Sequence, residues 1–167
     1  VVTLNGHFEL YYAVDVAGTR DECISVATSA APGGPFIDRS RAPLECQKSL
    51  GGSIDPSVFL AGDGTPYLVW KSGGPGSSTI WSQQLDPTGK SFVAGTKPIS
   101  LLTPDQTWES GTVEAPDLVT SGGHDYLFFS GNDWNSANYA VGVATCTGPL
   151  GPCTDNAANP ILASGNG

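Results

Sequence analysis

Two carboxylates stand out by their surroundings. Asp55 lies in Gly51-Gly52-Ser53-Ile54-Asp55-Pro56-Ser57-Val58-Phe59, and Glu114 lies in Trp108-Glu109-Ser110-Gly111-Thr112-Val113-Glu114-Ala115-Pro116. An acidic side chain amid Ile, Val, Pro and Phe is rarely buried without a partner or a purpose. Paired carboxylates around one cavity suit acid–base chemistry, above all glycoside hydrolysis, in which one acid protonates the leaving oxygen and a base activates water. The plainer alternative is that each caps backbone N–H groups at a bend. Trp108, just before the Glu114 motif, and Trp134, in a loop after a strand end, are candidate sugar platforms. Trp70 and Trp81 fall within strand patterns and are read as packing. His7 and His124 recur at one repeat position, in a turn, which argues for architecture rather than catalysis. Phosphate-loop, Ser-His-Asp and zinc-protease patterns are absent from the sequence. The run from Gly73 to Ser78 is followed by no Lys and no helix, so it reads as a hairpin loop and not a phosphate cradle.

Such residues need a frame, and the chain offers one as an internal repeat. Setting Val1 on Leu118, an offset of 117 positions, lays VVTLNGHFELYY over LVTSGGHDYLFF and ISVAT over VGVAT. An offset of 59 lays IDPSVF over VEAPDL and YLVW over YLFF. Each unit carries a hairpin turn, at Asn5-Gly6, Asp63-Gly64 and Gly122-Gly123, ahead of an aromatic and aliphatic run. Third strands are expected at Cys23–Thr28, Thr79–Leu85 and Tyr139–Thr145, and fourth strands at Lys97–Leu101 and Asn159–Leu162. Four antiparallel strands per repeat describe a propeller blade; a β-sandwich would explain the strand spacing but not the repeat. The expected fold is all-β: a partial β-propeller of about three four-stranded blades over 1–50, 51–107 and 108–167, the first with a truncated opening strand. At the offset of 59, Asp55 and Glu114 share one repeat position at the start of the inner strand, facing one channel from neighbouring blades. Propellers close with four to eight blades. Open blade faces and strand edges drive association, so a homo-oligomer that closes the ring is expected.

The charge excludes several partners. Seven Lys and Arg against 16 Asp and Glu give a net charge of −9, the wrong sign for nucleic acid or an anionic membrane surface. With 22 Gly and 13 Pro, long helices are disfavoured, and no apolar run reaches the roughly 20 residues of a membrane span. The sequence shows neither an initiator Met nor a signal-peptide pattern, so it reads as a mature or trimmed chain. Cys23, Cys46, Cys146 and Cys153 form no C-x-x-C pair and have no His at zinc-ligand spacing. Two local disulfides, Cys23–Cys46 and Cys146–Cys153, are favoured over four free thiols and imply an oxidising, extracellular compartment.

The motifs together resemble glycoside hydrolase family 43, five-bladed propeller enzymes acting on arabinose- and xylose-containing polysaccharides. The carrying segments are Ser53–Phe59 with Asp63–Trp70, then Val113-Glu114-Ala115-Pro116, then Tyr126–Asn132 with Tyr139–Ala144. Val26–Ser29 followed by Gly34-Pro35-Phe36 matches as well. The match covers the family's second to fourth blades. The resemblance implies Glu114 as general acid and Asp55 as the residue that modulates the acid's pKa and holds its orientation. It implies an Asp general base in a first blade that has no counterpart here. Asp15, read as a loop residue, does not take that role. The family's fifth blade also has no counterpart, Asn166-Gly167 ending about where it would begin. The implied activity is inverting hydrolysis of α-L-arabinofuranosyl or β-D-xylosyl linkages in plant polysaccharides, with acid and base carboxyls roughly 6.5–9.5 Å apart. No cofactor is implied beyond a calcium ion sometimes bound in the channel of complete members. With the base unmatched, a carbohydrate-binding or oligomeric module without hydrolysis is the alternative.

Overall fold

The computed structural model describes residues 1–19, 21–74 and 76–164. Pro75 of the Gly73–Ser78 loop and the Asn166-Gly167 pair lie outside the described residues. Three antiparallel sheets follow one another along the chain. The first is β1 (Val2–Leu4), β2 (His7–Asp15) and β3 (Glu22–Ser29). The second is β4 (Ser53–Leu60), β5 (Pro66–Ser72), β6 (Thr79–Gln84) and β7 (Ile99–Leu102). The third is β8 (Val113–Ser121), β9 (His124–Gly131), β10 (Ala140–Cys146) and β11 (Cys153–Asp155), with β12 (Leu162–Ala163) also paired to β10.

Local chemistry fixes the hairpins. Asn5 and Gly6 (φ 48° and 75°) and Gly122 and Gly123 (59° and 81°) are all left-handed, as a tight two-residue turn requires. These turns set Leu4 opposite His7 and Ser121 opposite His124. Asp15, expected in a loop, is the last residue of β2 and pairs with Glu22.

The sheets depart from four strands apiece. In the first, the outermost strand is replaced by two isolated bridges, Thr28 to Ile37 and Ile24 to Glu45. Pro32, Pro35 and Pro43 punctuate that segment, and proline has no N–H for a ladder. In the third, the outer strand is split: β11 pairs with residues 144–146 of β10, and β12 pairs with 140–141. The expected fourth strand at Asn159–Leu162 thus becomes β11 and β12 on either side of Pro160, while Lys97–Leu101 becomes β7, starting after Pro98.

The middle sheet is buried on both faces. Along β5, Leu68 and Trp70 pack with Tyr11, Ile24 and Leu85. The alternate residue Val69 packs on the other side with Ile80, Leu127 and Phe129. That is the period of two expected of a strand between two layers. Polar links reinforce the stack: Tyr11 O–H donates to the Gly89 carbonyl (2.6 Å), and Trp70 Nε1–H donates to Gln47 Oε1 (2.9 Å). Both expected disulfides are present, Cys23–Cys46 tying β3 to the bridge-forming segment and Cys146–Cys153 closing the β10–β11 hairpin.

Candidate active site

β4 and β8 both lose register near their starts. Pairing jumps from Ile54 to Ser57 in one and from Glu114 to Asp117 in the other, so each carries one extra residue, a β-bulge. Asp55 (φ 54°) and Ala115 (φ 49°) occupy the left-handed conformation at these bulges, which costs a non-glycine residue about 1–2 kcal/mol. The registers correct the repeat read from sequence. Ile54 lies opposite Lys71, and Glu114 opposite Ser130. β4 and β8 are therefore offset by 60 positions (54 to 114, 57 to 117), whereas β5 and β9 are offset by 59 (71 to 130, 69 to 128). Asp55 is the structural counterpart of Ala115, and Glu114 of Ile54. The two acids stand one register position apart, not on the same one.

That difference decides what each carboxylate touches. Asp55 Oδ2 accepts the Ala115 N–H at 3.0 Å, so one bulge residue caps the other across the two sheets. Glu114 is half-buried and held at both oxygens. The Tyr139 hydroxyl donates to Oε1 (2.9 Å), and Lys71 Nζ lies 3.4 Å from Oε2. Lys71 extends from β5 and is itself buried. Burial pushes the Tyr139 hydroxyl pKa up, and the hydrogen bond to Glu114 and the charges of Glu114 and Asp55 add to the rise against an opposing bond with Ser130.

These groups line a cleft of about 560 Å³. Asp133 and Trp134 complete its rim, and Asn132 (φ 78°) turns the chain into it. Trp134 is 74% exposed. Lys71 is the single cation among the described lining residues, against the carboxylates of Asp55, Glu114 and Asp133. The remaining polar groups are hydroxyls and amides, a set that suits a neutral, hydroxyl-rich ligand. It does not fit a calcium ion: Glu114 is committed to Tyr139 and Lys71, Asp55 to Ala115, and the Lys71 charge opposes a cation. A larger cleft, about 660 Å³ between β1, β2, β4 and β8, holds Asp117 as its one carboxylate.

Trp108, expected at the sugar, is not in the cleft. It is wedged against Phe129 (ring centroids 5.8 Å apart), with Nε1–H donating to Gln106 Oε1 at 2.8 Å. Two glycines make its slot. A Cβ on Gly131 would lie 2.6 Å from the indole, and one on Gly142 would lie 2.8 Å from it. Trp70 is fully buried, and Trp81 donates to Ser72 Oγ. His7 and His124 are exposed at strand starts, away from the cleft. Lys71, Asp133 and the Tyr139 hydroxyl went unassigned in the sequence. Only Lys71 left a trace there: a Lys closing the run Tyr67–Trp70, in a strand that must be buried, needs a partner.

Blade-like sheets stacked through their faces, with an acid-bearing cleft at the starts of the inner strands, define a propeller glycoside hydrolase scaffold. The family model of glycosyl hydrolases family 43 matches residues 1–167, and the chain belongs to that family. An arabinan endo-1,5-α-L-arabinosidase B of Emericella nidulans is 34% identical over 126 residues, covering 65% of this chain and 30% of the relative. An extracellular endo-α-(1→5)-L-arabinanase 1 of Bacillus subtilis is 25% identical, covering 96% of this chain and 49% of the relative. A thermostable family-43 glycoside hydrolase of known structure superposes with a TM-score of 0.86 at 28% identity, over 97% of this chain and 54% of its own. The chain thus spans half or less of the length of these curated relatives.

Proposed function

We propose that this chain forms the acid-bearing part of a hydrolase that cleaves α-1,5-linked arabinan, with Glu114 as general acid. The observation that carries the reading is Glu114 itself: a half-buried carboxyl in an open, polar cleft, gripped at both oxygens by Tyr139 and Lys71. Held in this orientation, the carboxyl, once protonated, can pass that proton to a glycosidic oxygen as the bond to the leaving group breaks. Lys71 then stabilises the carboxylate left behind, and Asp55 locks the Ala115 bulge that aims it. Inversion requires a base roughly 6.5–9.5 Å away to activate water; the family's motif for that Asp has no match in this sequence. The arabinan-cleaving activities of the two relatives favour arabinan over β-D-xylosyl substrates. The two disulfides support a secreted setting.

The test is release of reducing ends from linear arabinan and from a β-D-xyloside by the complete enzyme, in which a base-bearing blade accompanies this chain, and by its Glu114→Gln variant. Arabinan hydrolysis reduced about 10²–10⁴-fold by the substitution is expected. Near-full activity of the variant on unactivated arabinan refutes the assignment. A second reading, a carbohydrate-binding module, draws on the exposed Trp134 at the rim. Saturable oligosaccharide binding with no hydrolysis by either form would favour it. Association with further copies would cover the cleft between β1, β4 and β8; a monodisperse monomer by light scattering at high concentration counts against it.

A further inference from the structure

Between the Thr107–Glu109 turn and β11, a second group of carboxylates converges. Asp105, Glu109 and Asp155 each place one oxygen so that all three lie within 4.8 Å of one another. Glu109 closes the short 3₁₀ turn Thr107–Glu109 and is fully buried. One of its oxygens is well used: Oε2 accepts the backbone N–H groups of Asp105 and Gln106, both at 2.7 Å. The other, Oε1, is buried with no hydrogen-bond partner. Asp155 repeats the pattern, since Asn159 donates to its Oδ1 while the buried Oδ2 has no partner. Neither ion pair among the described residues reaches this group; they join Lys71 to Glu114 and Lys90 to Glu9. Buried carboxylate oxygens without a donor or a cation cost several kcal/mol. Their orphan state points to something between them.

We propose that Asp105, Glu109 and Asp155 form a binding site for a hard divalent cation of the calcium type, one that clamps the Thr107–Glu109 turn to β11. The donor set is all oxygen, which selects hard cations over zinc or copper. Two ligands of one Ca²⁺, each at about 2.3–2.6 Å, sit up to about 5 Å apart, and the three oxygens, all within 4.8 Å of one another, are close enough to share one such ion. Asp105 and Asp155 also line a surface cleft of about 350 Å³, which gives an entry path and room for the remaining water ligands.

The clamp bears on the neighbouring site through the backbone. The Glu109 carbonyl accepts N–H bonds from both Thr112 and Asn132, at 2.9 Å each. These residues lead into Glu114 on β8 and into Asp133 and Trp134 at the cleft rim. A cation at Glu109 would join two segments far apart in sequence and stiffen the support beneath the candidate acid. The inference does not depend on arabinan being the substrate.

The test uses the whole chain after chelator treatment. Calcium is titrated while thermal unfolding is followed, and terbium is titrated while luminescence sensitised by Trp108, adjacent to Glu109, is read. A saturable rise in Tm of about 5–10 °C at 100 times Kd is expected, with a smaller rise for magnesium. Asp155→Asn keeps an acceptor for Asn159 and should weaken terbium binding at least about tenfold. Asp105→Asn, at an exposed position where the fold does not depend on the side chain, serves as the second variant and should weaken it too. No calcium-dependent shift up to about 10 mM, beyond the weakest extracellular sites, overturns the proposal. Terbium luminescence indifferent to both substitutions overturns it as well. Stabilisation by acid alone, with no calcium response, overturns it in favour of a proton shared between Glu109 and Asp155.

Discussion

Ser78→Ala is expected to destabilise the protein far more than its size suggests. Ser78 is 1% exposed, and its Oγ accepts the Val113 N–H at 2.6 Å. Val113 opens β8, the edge strand of the third sheet, and the bond comes from the β5–β6 loop of the second. Within its own sheet the neighbouring residue Thr112 accepts from Asn132, so the Val113 N–H points outward and depends on Ser78. Loop and strand are pressed together here: a Cβ on Gly111 would lie 2.7 Å from the Gly76 Cα. Removing the hydroxyl leaves a buried donor unpaired, a loss of about 1–3 kcal/mol. At about 2 kcal/mol, Tm falls by about 4–8 °C for a chain of this length, and the urea midpoint falls by about 1 M if m is about 2 kcal/mol/M. The assay is urea unfolding of Ser78→Ala beside Ser77→Ala, an exposed neighbour expected to stay within about 0.5 kcal/mol of wild type. A difference between the two variants below about 0.5 kcal/mol would refute the idea that this one hydroxyl couples the sheets. Because Val113 immediately precedes Glu114, the same substitution should also lower any activity that depends on that carboxyl.

Two further outcomes are expected. Partial burial pushes the Asp38 carboxyl up, but hydrogen bonds from Ser25, Ser40 and Tyr12 outweigh it and hold the pKa at about 2. The folded value is below the unfolded one, so this stabilisation is complete above about pH 3.9 and is lost as pH falls through about 2. Wild type should therefore lose more stability than Asp38→Asn between about pH 4 and 2, and parallel acid limbs in urea unfolding would contradict the assignment. Trp134→Ala, at a 74% exposed rim position, should leave Tm unchanged while weakening arabino-oligosaccharide binding about fivefold; an unchanged Kd removes Trp134 from the site.

Features set by neighbouring residues were legible in the sequence. The turns at Asn5-Gly6 and Gly122-Gly123 need left-handed backbone, and few residues accept it. Strands β2, β5 and β9 follow from the aromatic and aliphatic runs that those turns and Asp63-Gly64 introduce. Features set by a distant partner were not legible. The split of β11 from β12 depends on which parts of β10 each can reach around Pro160. Trp108 reads as a sugar platform until Gly131 and Gly142, from two other strands, are seen to make its slot. Lys71 meets Glu114 only through the stacking of the second sheet on the third, and Tyr139 meets it only across the strands of the third. The register of the two acids had a signal that apolar matching hid. Aligning Ile54 with Val113 pairs like with like, but the observed offset of 60 sets Pro56 on Pro116 and Gly51 on Gly111.

That one-residue slip explains why two acids in similar bulges do different work. Had both occupied the same register position, two carboxylates would face one cleft in equivalent poses, repelling each other with nothing to tell them apart. Instead Asp55 is the bulge residue itself, and its left-handed backbone turns the carboxylate onto the N–H of the opposing bulge. Glu114 precedes its own bulge, remains in the ladder opposite Ser130, and meets Lys71 and Tyr139 rather than backbone. The strain at Ala115 is held in place by the Asp55 cap, so the negative charge of one acid is spent on fixing the bend that aims the other. In the proposed enzyme the division of labour between orienter and acid is thus a consequence of strand register. It requires both bulges: straightening either strand by one residue would shift the side chains beyond it to the opposite face of the sheet and separate the pair.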